Sequence, residues 1–314
     1  MKDVVNMISE HEFELRYRKA RLKFLDTPYQ LAYKAFDQLG IFELHPDDIE
    51  HQASNIVVKV RDFCWEAFRN SEDAFSSSMY ATLVDDDLED YLSLDGPNAI
   101  KLFVQRHSEK FYKLSLANTQ SRRSRAGAEF EAIVELLLLA SGTRLDSQGA
   151  LAGGLFEENG LGKAVDLVVP GVAEYSIKKN KVVLVSCKTT LRERWQEVVE
   201  EKNRTGAAEI YLATLDEKIS SKTIDNLGVQ NVYIVTRKEL VESRYSGKGN
   251  VISFEELISD IKEKGNYWDK VIYTAEEKEA AIDSIEKQIA LHRGQGRLFV
   301  EENLSKCLKS IQEG

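Results

Sequence analysis

The sequence Lys181-Val-Val-Leu-Val-Ser-Cys-Lys188 (KVVLVSCK) decides the fold. It is an almost unbroken apolar run, which is typical of a strand buried on both faces of a sheet. Another apolar segment precedes it, AVDLVVP at residues 164–170, with Asp166 in the middle of the expected strand. Because side chains alternate along a strand, Ser186 and Lys188 share one face of it. We therefore expect Asp166 and Lys188 to meet at one edge of a sheet.

Further helices and strands are expected on both sides of this pair. Residues Ser124–Ala140 have the apolar spacing of one long helix, which Ser141-Gly142 ends. After Lys188, a helical composition over Thr190–Asn203 is followed by two short apolar strands with a helical segment between them, Glu209–Thr214 and Asn231–Thr236. This order predicts an α/β fold with a mixed central sheet flanked by helices.

The rest of the chain is expected to be mostly helical. Residues 1–115 predict a mainly helical N-terminal region, residues 116–265 the α/β core, and residues 266–314 a helical C-terminal extension broken at Arg293–Gly296. One interpretation of the extension is packing or dimerisation, and the other is DNA contact through Arg293 and Arg297. The acidic block at residues 85–90 is interpreted as a solvated loop.

Composition excludes several classes of protein. The chain has 314 residues and is 43% hydrophobic, which favours one large globular domain or two modest ones. No apolar run could cross a bilayer, the N-terminus has no signal-peptide pattern, and three scattered cysteines form no disulfide or zinc pattern. We therefore expect a soluble protein of a reducing compartment. The net charge of −10 argues against a nonspecific nucleic-acid coat protein, but not against an enzyme that contacts phosphates locally.

The pair Asp166 and Lys188 suits metal-assisted hydrolysis of a phosphodiester. In that chemistry the carboxylate binds Mg²⁺, while the lysine orients water or offsets charge. The alternative is a structural salt bridge. A metal site needs further oxygen ligands, and the candidates are Glu201 on the following helix and Glu131 on the Ser124–Ala140 helix. At helical periodicity Glu201 shares a face with Thr190, Arg194 and Glu197, whereas the adjacent Glu200 is expected to face elsewhere.

The segment Arg192-Glu193-Arg194 favours recognition of DNA bases. Arginine pairs bidentately with guanine, and glutamate accepts from the amino group of cytosine. Two arginines around one glutamate could therefore read two adjacent G·C pairs. The alternative is a set of solvent-exposed ion pairs on a helix.

These motifs together resemble type II restriction endonucleases of the PD-(D/E)XK superfamily. The similarity is to the branch that includes EcoRII, SsoII, PspGI and NgoMIV, and it covers residues of about 120 to 240. In this branch a serine stands where the ordinary motif has its second acid, here Ser186, and a helix glutamate replaces that acid, here Glu201. The pattern Arg-x-x-x-Gly-x-x-Phe-Glu at Arg123–Glu131 matches the family helix that carries another active-site glutamate.

The resemblance implies a restriction-endonuclease-like core, a Mg²⁺ cofactor, and a palindromic DNA site that contains CC and GG. The short Arg-Glu-Arg form favours an interrupted CCNGG-type core, and the large N-terminal region could read an outer base pair. Further implied partners are a second copy of the chain, as a homodimer or a higher assembly, and a DNA methyltransferase of the same restriction-modification system, in the cytoplasm of a prokaryote. The expected DNA-contacting residues are Arg192, Glu193, Arg194 and Glu197, with Arg123 and Arg125.

Two other functions remain open from the sequence. A repair or recombination nuclease of the same superfamily would keep Asp166 and Lys188 without needing Arg192-Glu193-Arg194. A catalytically silent DNA-binding protein could keep the fold alone. Digestion of plasmid DNA distinguishes the three, because only the first gives discrete fragments.

Overall fold

The computed structural model describes residues 8–151, 155–162, 165–192 and 195–313. Its contacts divide the chain into two compact units, the first formed by Met1–Leu31 with Asp62–Ala126 and the second by Ala32–Arg61 with Gly127–Gly314. No helix in these described ranges is both long and apolar enough to cross a membrane.

In the part of the chain that the structure describes, six α-helices precede the sheet. They are α1 (Glu10–Phe24), α2 (Pro28–Gln38), α3 (Pro46–His51), α4 (Ala53–Asp86), α5 (Leu88–Leu92) and α6 (Gly96–Ala140). The mainly helical N-terminal region is thus confirmed. The helix α6 is longer than expected, because Asp95 caps it through a 2.9 Å bond from Asn98 N to Oδ1 and no proline follows Pro97 before residue 140.

Within the first unit, an apolar cluster packs α1, α4 and α6 together. It comprises Ile8, Phe13, Phe75, Met79, Leu83 and Leu114. The prediction of a loop at the acidic block is wrong, whereas the predicted solvation holds for Asp85, Asp86 and Glu89, which are exposed. Residues 85–90 belong largely to α4 and α5, Asp86 pairs with Arg16 over 2.9 Å, and Asp87 is buried against Arg106 and His107, each at 3.2 Å. Opposite charges across the helices therefore hold this block in the folded unit.

The described residues of the second unit form a six-stranded sheet in the order β1-β2-β3-β4-β5-β6. The strands are β1 (Asp146–Ser147), β2 (Leu167–Val169), β3 (Val183–Lys188), β4 (Ile210–Thr214), β5 (Val232–Thr236) and β6 (Val251–Ser253). Strand β2 pairs antiparallel with both β1 and β3, whereas β3, β4, β5 and β6 pair parallel with one another in that order. The predicted mixed central sheet is therefore confirmed.

Helices surround this sheet. They are α7 (Leu155–Glu158), α8 (Val172–Ile177), α9 (Trp195–Thr205), α10 (Ser221–Val229), α11 (Lys238–Arg244), α12 (Phe254–Trp268), α13 (Ala275–Gly294) and α14 (Leu298–Glu313). Capping boxes start α12 at Ser253 and α13 at Thr274. The expected break in the C-terminal extension falls between α13 and α14. Arg297 there is buried and bonded to His292, so its side chain is not presented on an exposed surface.

Candidate active site

The pairing of β2 with β3 brings Asp166 to Lys188. Asp166 directly precedes β2 instead of lying mid-strand, but its backbone continues the pairing, since Asp166 N donates to the Val185 carbonyl oxygen over 2.9 Å. Its Oδ2 accepts from Cys187 N at 2.6 Å and lies 3.9 Å from Lys188 Nζ. The register of the sheet therefore places an acid and a lysine side by side, as the alternation along KVVLVSCK predicts.

Ser186 lies two residues before Lys188 on β3 and is fully buried. Its Oγ makes no hydrogen bond to the described residues. A buried hydroxyl normally finds a partner, so this oxygen has a free donor and free acceptor sites in a region where other polar groups converge.

Glu201 approaches the same charges from α9. Burial raises the pKa of its carboxyl to about 7; Lys188 opposes the shift and Asp166 adds to it, so the three charges interact. Its Oε2 is buried and makes no hydrogen bond to the described residues, whereas Glu200 is exposed. The helix begins only at Trp195, so the prediction that Thr190 shares a helical face with Glu201 is wrong.

Glu131 reaches this region from α6. Its charge acts on the thiol of Cys187 on β3. Burial raises the pKa of that thiol well above its usual range, and the charges of Asp166 and Glu131 raise it further. Lys188 lowers this pKa and Glu135 raises it. Sequence reasoning missed Glu135, which is buried and accepts a 2.6 Å bond from Ser147 Oγ. A lone acid in the apolar run Ala132–Ala140 was its only signal.

The described residues contain no group of three or more His, Cys, Asp or Glu side chains close enough to hold a metal ion. The structure therefore brings Asp166 and Glu201 to Lys188 without closing a three-acid cluster that includes Glu131. The donor set nevertheless fits a hard divalent cation, because it consists of carboxylate oxygens and the unbonded Ser186 Oγ. A carboxyl whose pKa is raised by burial also gains most from a cation beside it.

The segment after Lys188 carries the candidate base-reading residues. Leu191 N donates to Asp216 Oδ2 over 3.1 Å, so Asp216, which follows β4, anchors the start of this segment. Arg192 is exposed in a turn with φ of 35°, a region that side chains other than glycine rarely adopt. Glu193 and Arg194 lie outside the described residues. Glu197 is exposed on the first turn of α9.

Arg123 and Arg125 belong to the first unit, on α6. Arg123 is exposed. The guanidinium of Arg125 lies 4.8 Å from the centre of the Phe68 ring, within the range of a cation–π contact. Arg125 therefore packs partly against its own unit, whereas Arg123 is presented to solvent.

A mixed sheet with an acid before one strand, a lysine at the end of the next and a glutamate on the following helix defines a PD-(D/E)XK nuclease. Comparison with known proteins narrows this class. Residues 97–258 match the family model described as EcoRII C terminal. The type II restriction enzyme SsoII of Shigella sonnei is 42% identical over 283 residues, which cover 90% of this chain and 92% of that enzyme.

The solved structures that this chain resembles are also those of restriction endonucleases. Metal-depleted Ecl18kI in complex with uncleaved, modified DNA has a TM-score of 0.88 and 39% identity, covering 96% of this chain and 99% of that one. The PspGI–substrate DNA complex, at 15% identity and a TM-score of 0.57 over 77% of this chain and 94% of that one, shows the fold alone. The chain belongs to the EcoRII-C family and is a type II restriction endonuclease, an enzyme that acts on DNA with a divalent metal.

Proposed function

We propose that this enzyme hydrolyses both strands of DNA at a palindromic site with a CCNGG-type core, using Mg²⁺. The observation that carries the chemical part of the proposal is the convergence of Asp166, Lys188 and Glu201 at one end of β3. The sequence Arg192-Glu193-Arg194 and the relationship to SsoII support the DNA site. An outer base pair read by the N-terminal region would extend this core.

The proposed metal ligands are Asp166, Glu201 and Glu131. When bound, Mg²⁺ supplies a Lewis acid that stabilises negative charge on the phosphate and lowers the pKa of water. Lys188 stands beside Asp166, where its ammonium can donate to the attacking water or to a phosphate oxygen. Ser186 Oγ, buried and without a bond, is a further polar group for water or the cation. The raised pKa of Glu201 allows it to hold a proton until a cation replaces it.

Recognition is assigned to the segment that leads from the active site into α9. Arg192 and Arg194 each bond a guanine, and Glu193 accepts from the neighbouring cytosines. Glu197, exposed on the first turn of α9, is proposed to contact the DNA as well. Arg123 and Arg125 are proposed to contact the DNA backbone, where their charges neutralise phosphates.

The assembly follows from the symmetry of the substrate. One chain carries one proposed metal site, whereas a palindrome requires two cuts, so a twofold homodimer with one half-site per subunit is the proposed working form. Residues 116–265 are assigned to catalysis and recognition, residues 1–115 to additional DNA contact, and residues 266–314 to support. A cognate DNA methyltransferase in the cytoplasm of the same prokaryotic cell would protect the host sites.

Digestion of plasmid DNA tests this function. With Mg²⁺ the enzyme should give discrete fragments, with EDTA it should give none, and Asp166→Ala should remove cutting while specific binding persists. Smeared products or cutting of branched DNA would indicate a repair or recombination nuclease. Binding without cutting under all metal conditions would indicate a catalytically silent protein.

A further inference from the structure

The short strand β1 and the residue after it are hydrogen-bonded both to Asp166 and to α6, the helix that carries Glu131. Ser147 Oγ donates to Glu135 Oε2 over 2.6 Å, and Glu135 lies one turn beyond Glu131 on α6. On its other side, Gln148 N donates to the Asp166 carbonyl oxygen over 2.9 Å, and Ser147 pairs with Leu167. Ser147, at the end of β1, and Gln148, directly after it, therefore connect the Glu131 helix to the backbone of Asp166.

A glutamine from the C-terminal extension holds β1 in place. Gln288 Nε2, on α13, donates to Asp146 Oδ1 over 2.8 Å, and Ser147 N donates to Gln288 Oε1 over 3.4 Å. The second oxygen of Asp146 accepts from Val172 N at 2.8 Å. Asp146, Ser147 and Gln288 are each at most 2% exposed. Buried polar groups bonded to one another are costly to separate, so this arrangement fixes the position of β1.

We propose that Ser147 and Gln288 are positioning residues that set the separation of the metal-binding carboxylates. The inference rests on the ligand assignment of the proposed function. Glu131 and Glu135 lie one turn apart on α6, and the chain segment bonded to Glu135 also holds the backbone of Asp166, so like charges are brought near one another before a cation arrives. Such charges repel, and bonds from outside the ligand set are needed to hold them in place. The C-terminal extension thereby acts on the active site through α13, at a distance in sequence of more than a hundred residues.

The physical consequence is a change in metal affinity. Loss of an outer hydrogen-bond partner typically costs a metal site about 10- to 100-fold in affinity or activity. Ser147→Ala removes the bond to Glu135 but keeps the strand pairing. Gln288→Ala removes the support of Asp146 and of Ser147. Ile285→Val is the matched control, because Ile285 is buried on the same helix α13 and loses one methylene of packing, while its side chain makes no hydrogen bond that could hold β1.

The experiment is calorimetric titration of Ca²⁺, which blocks cutting, into each full-length variant bound to a CCNGG duplex. Thermal unfolding and duplex binding in EDTA are measured in parallel. We expect Ser147→Ala and Gln288→Ala to raise the Kd for Ca²⁺ about tenfold or more, with duplex binding in EDTA unchanged. Ile285→Val should lose thermal stability and keep the wild-type Kd. Wild-type Ca²⁺ affinity in Ser147→Ala or in Gln288→Ala, or an equal shift in Ile285→Val, would overturn the proposal.

Two further variants separate this inference from the ligand assignment. Asp166→Ala and Glu201→Gln should lose Ca²⁺ affinity whatever Ser147 and Gln288 do. If Asp166→Ala and Glu201→Gln keep the wild-type affinity for Ca²⁺, the ligand assignment is wrong and so is the positioning role that rests on it. If they lose affinity while Ser147→Ala does not, only the positioning role is contradicted.

Discussion

Lys188 Nζ lies 3.9 Å from Oδ2 of Asp166, and the two side chains are only 9% and 11% exposed. This separation exceeds that of a hydrogen bond, so the ammonium stays close to the carboxylate while its protons remain available to water or to a phosphate. A purely structural ion pair in so buried a place would be expected to close to bonding distance. The geometry therefore favours a role of this pair in catalysis over a salt bridge that only stabilises the fold.

Lys188→Ala should slow DNA cleavage by about 10²- to 10³-fold, the loss typical when one preorganised donor to a developing negative charge is removed. Binding of the cognate duplex should persist, since Lys188 is buried and not assigned to base contact. Single-turnover cleavage in Mg²⁺ and fluorescence anisotropy in Ca²⁺ measure the two effects separately. A variant that binds and cuts as the wild type does would exclude Lys188 from the chemistry.

Adjacent residues on α9 give a matched pair for the metal site. Glu201→Gln should weaken Ca²⁺ binding by at least about tenfold, because its carboxyl is the one directed into the buried region. Glu200→Gln removes the same charge from an exposed position and should change the affinity by less than about twofold, as surface charges interact weakly through water. The reverse result in calorimetric titrations would show that the ligand is on the other face of the helix.

Arg192→Ala should weaken cognate binding by about 10- to 100-fold, because a good bidentate contact to guanine contributes about 1–3 kcal/mol of discrimination. Binding of random DNA should weaken far less. Arg192→Lys should rescue binding only in part, since it keeps the charge without the planar fork. Anisotropy in Ca²⁺ on a CCNGG duplex and a scrambled duplex decides between base reading and phosphate attraction. Equal losses on the two duplexes would reduce Arg192 to a backbone contact.

The buried His292 should make the protein less stable in mild acid. Burial, with Arg297 acting in the same direction, lowers the pKa of its imidazole to about 4, whereas an unfolded imidazole titrates near 6.5. Between these values the unfolded chain binds a proton that the folded chain does not, so the free energy of unfolding falls as the pH falls. From pH 7.5 to pH 5 this contribution amounts to about 2 kcal/mol.

Urea denaturation at the two pH values measures this loss. His292→Gln cannot take up a proton, so its free energy of unfolding should fall less between pH 7.5 and pH 5 than that of the wild type, even if its stability at pH 7.5 is lower. Equal slopes for the two proteins would show that His292 is not held neutral in the folded state.

The parts of the fold that were predictable from sequence are those with a strong apolar period. The run KVVLVSCK, the strands β4 and β5, and the helices of the C-terminal extension appear where the pattern places them. The two-residue strand β1 and the three-residue strand β6 were not predicted, because so short a segment has no measurable period and forms only by pairing with a neighbour.

The residues of the candidate site were predictable where their chemical types occur in a recognisable order along the chain. Asp166, Lys188 and Glu201 follow one another through strand, strand and helix, and the structure gathers their charges. Glu135, Ser147 and Gln288 could not be found in this way. Their bonds join positions 12 and 141 residues apart, and only the packing of α6, β1 and α13 brings them together.

Sequencing the ends of digested genomic DNA shows whether the enzyme cuts at one defined sequence and whether it needs a metal to do so. With Mg²⁺, every end should fall at a fixed position within a palindrome that contains a CCNGG core, and neither EDTA-treated enzyme nor Asp166→Ala should produce such ends. Ends scattered over unrelated sequences, or the same defined ends produced by Asp166→Ala, would contradict the account.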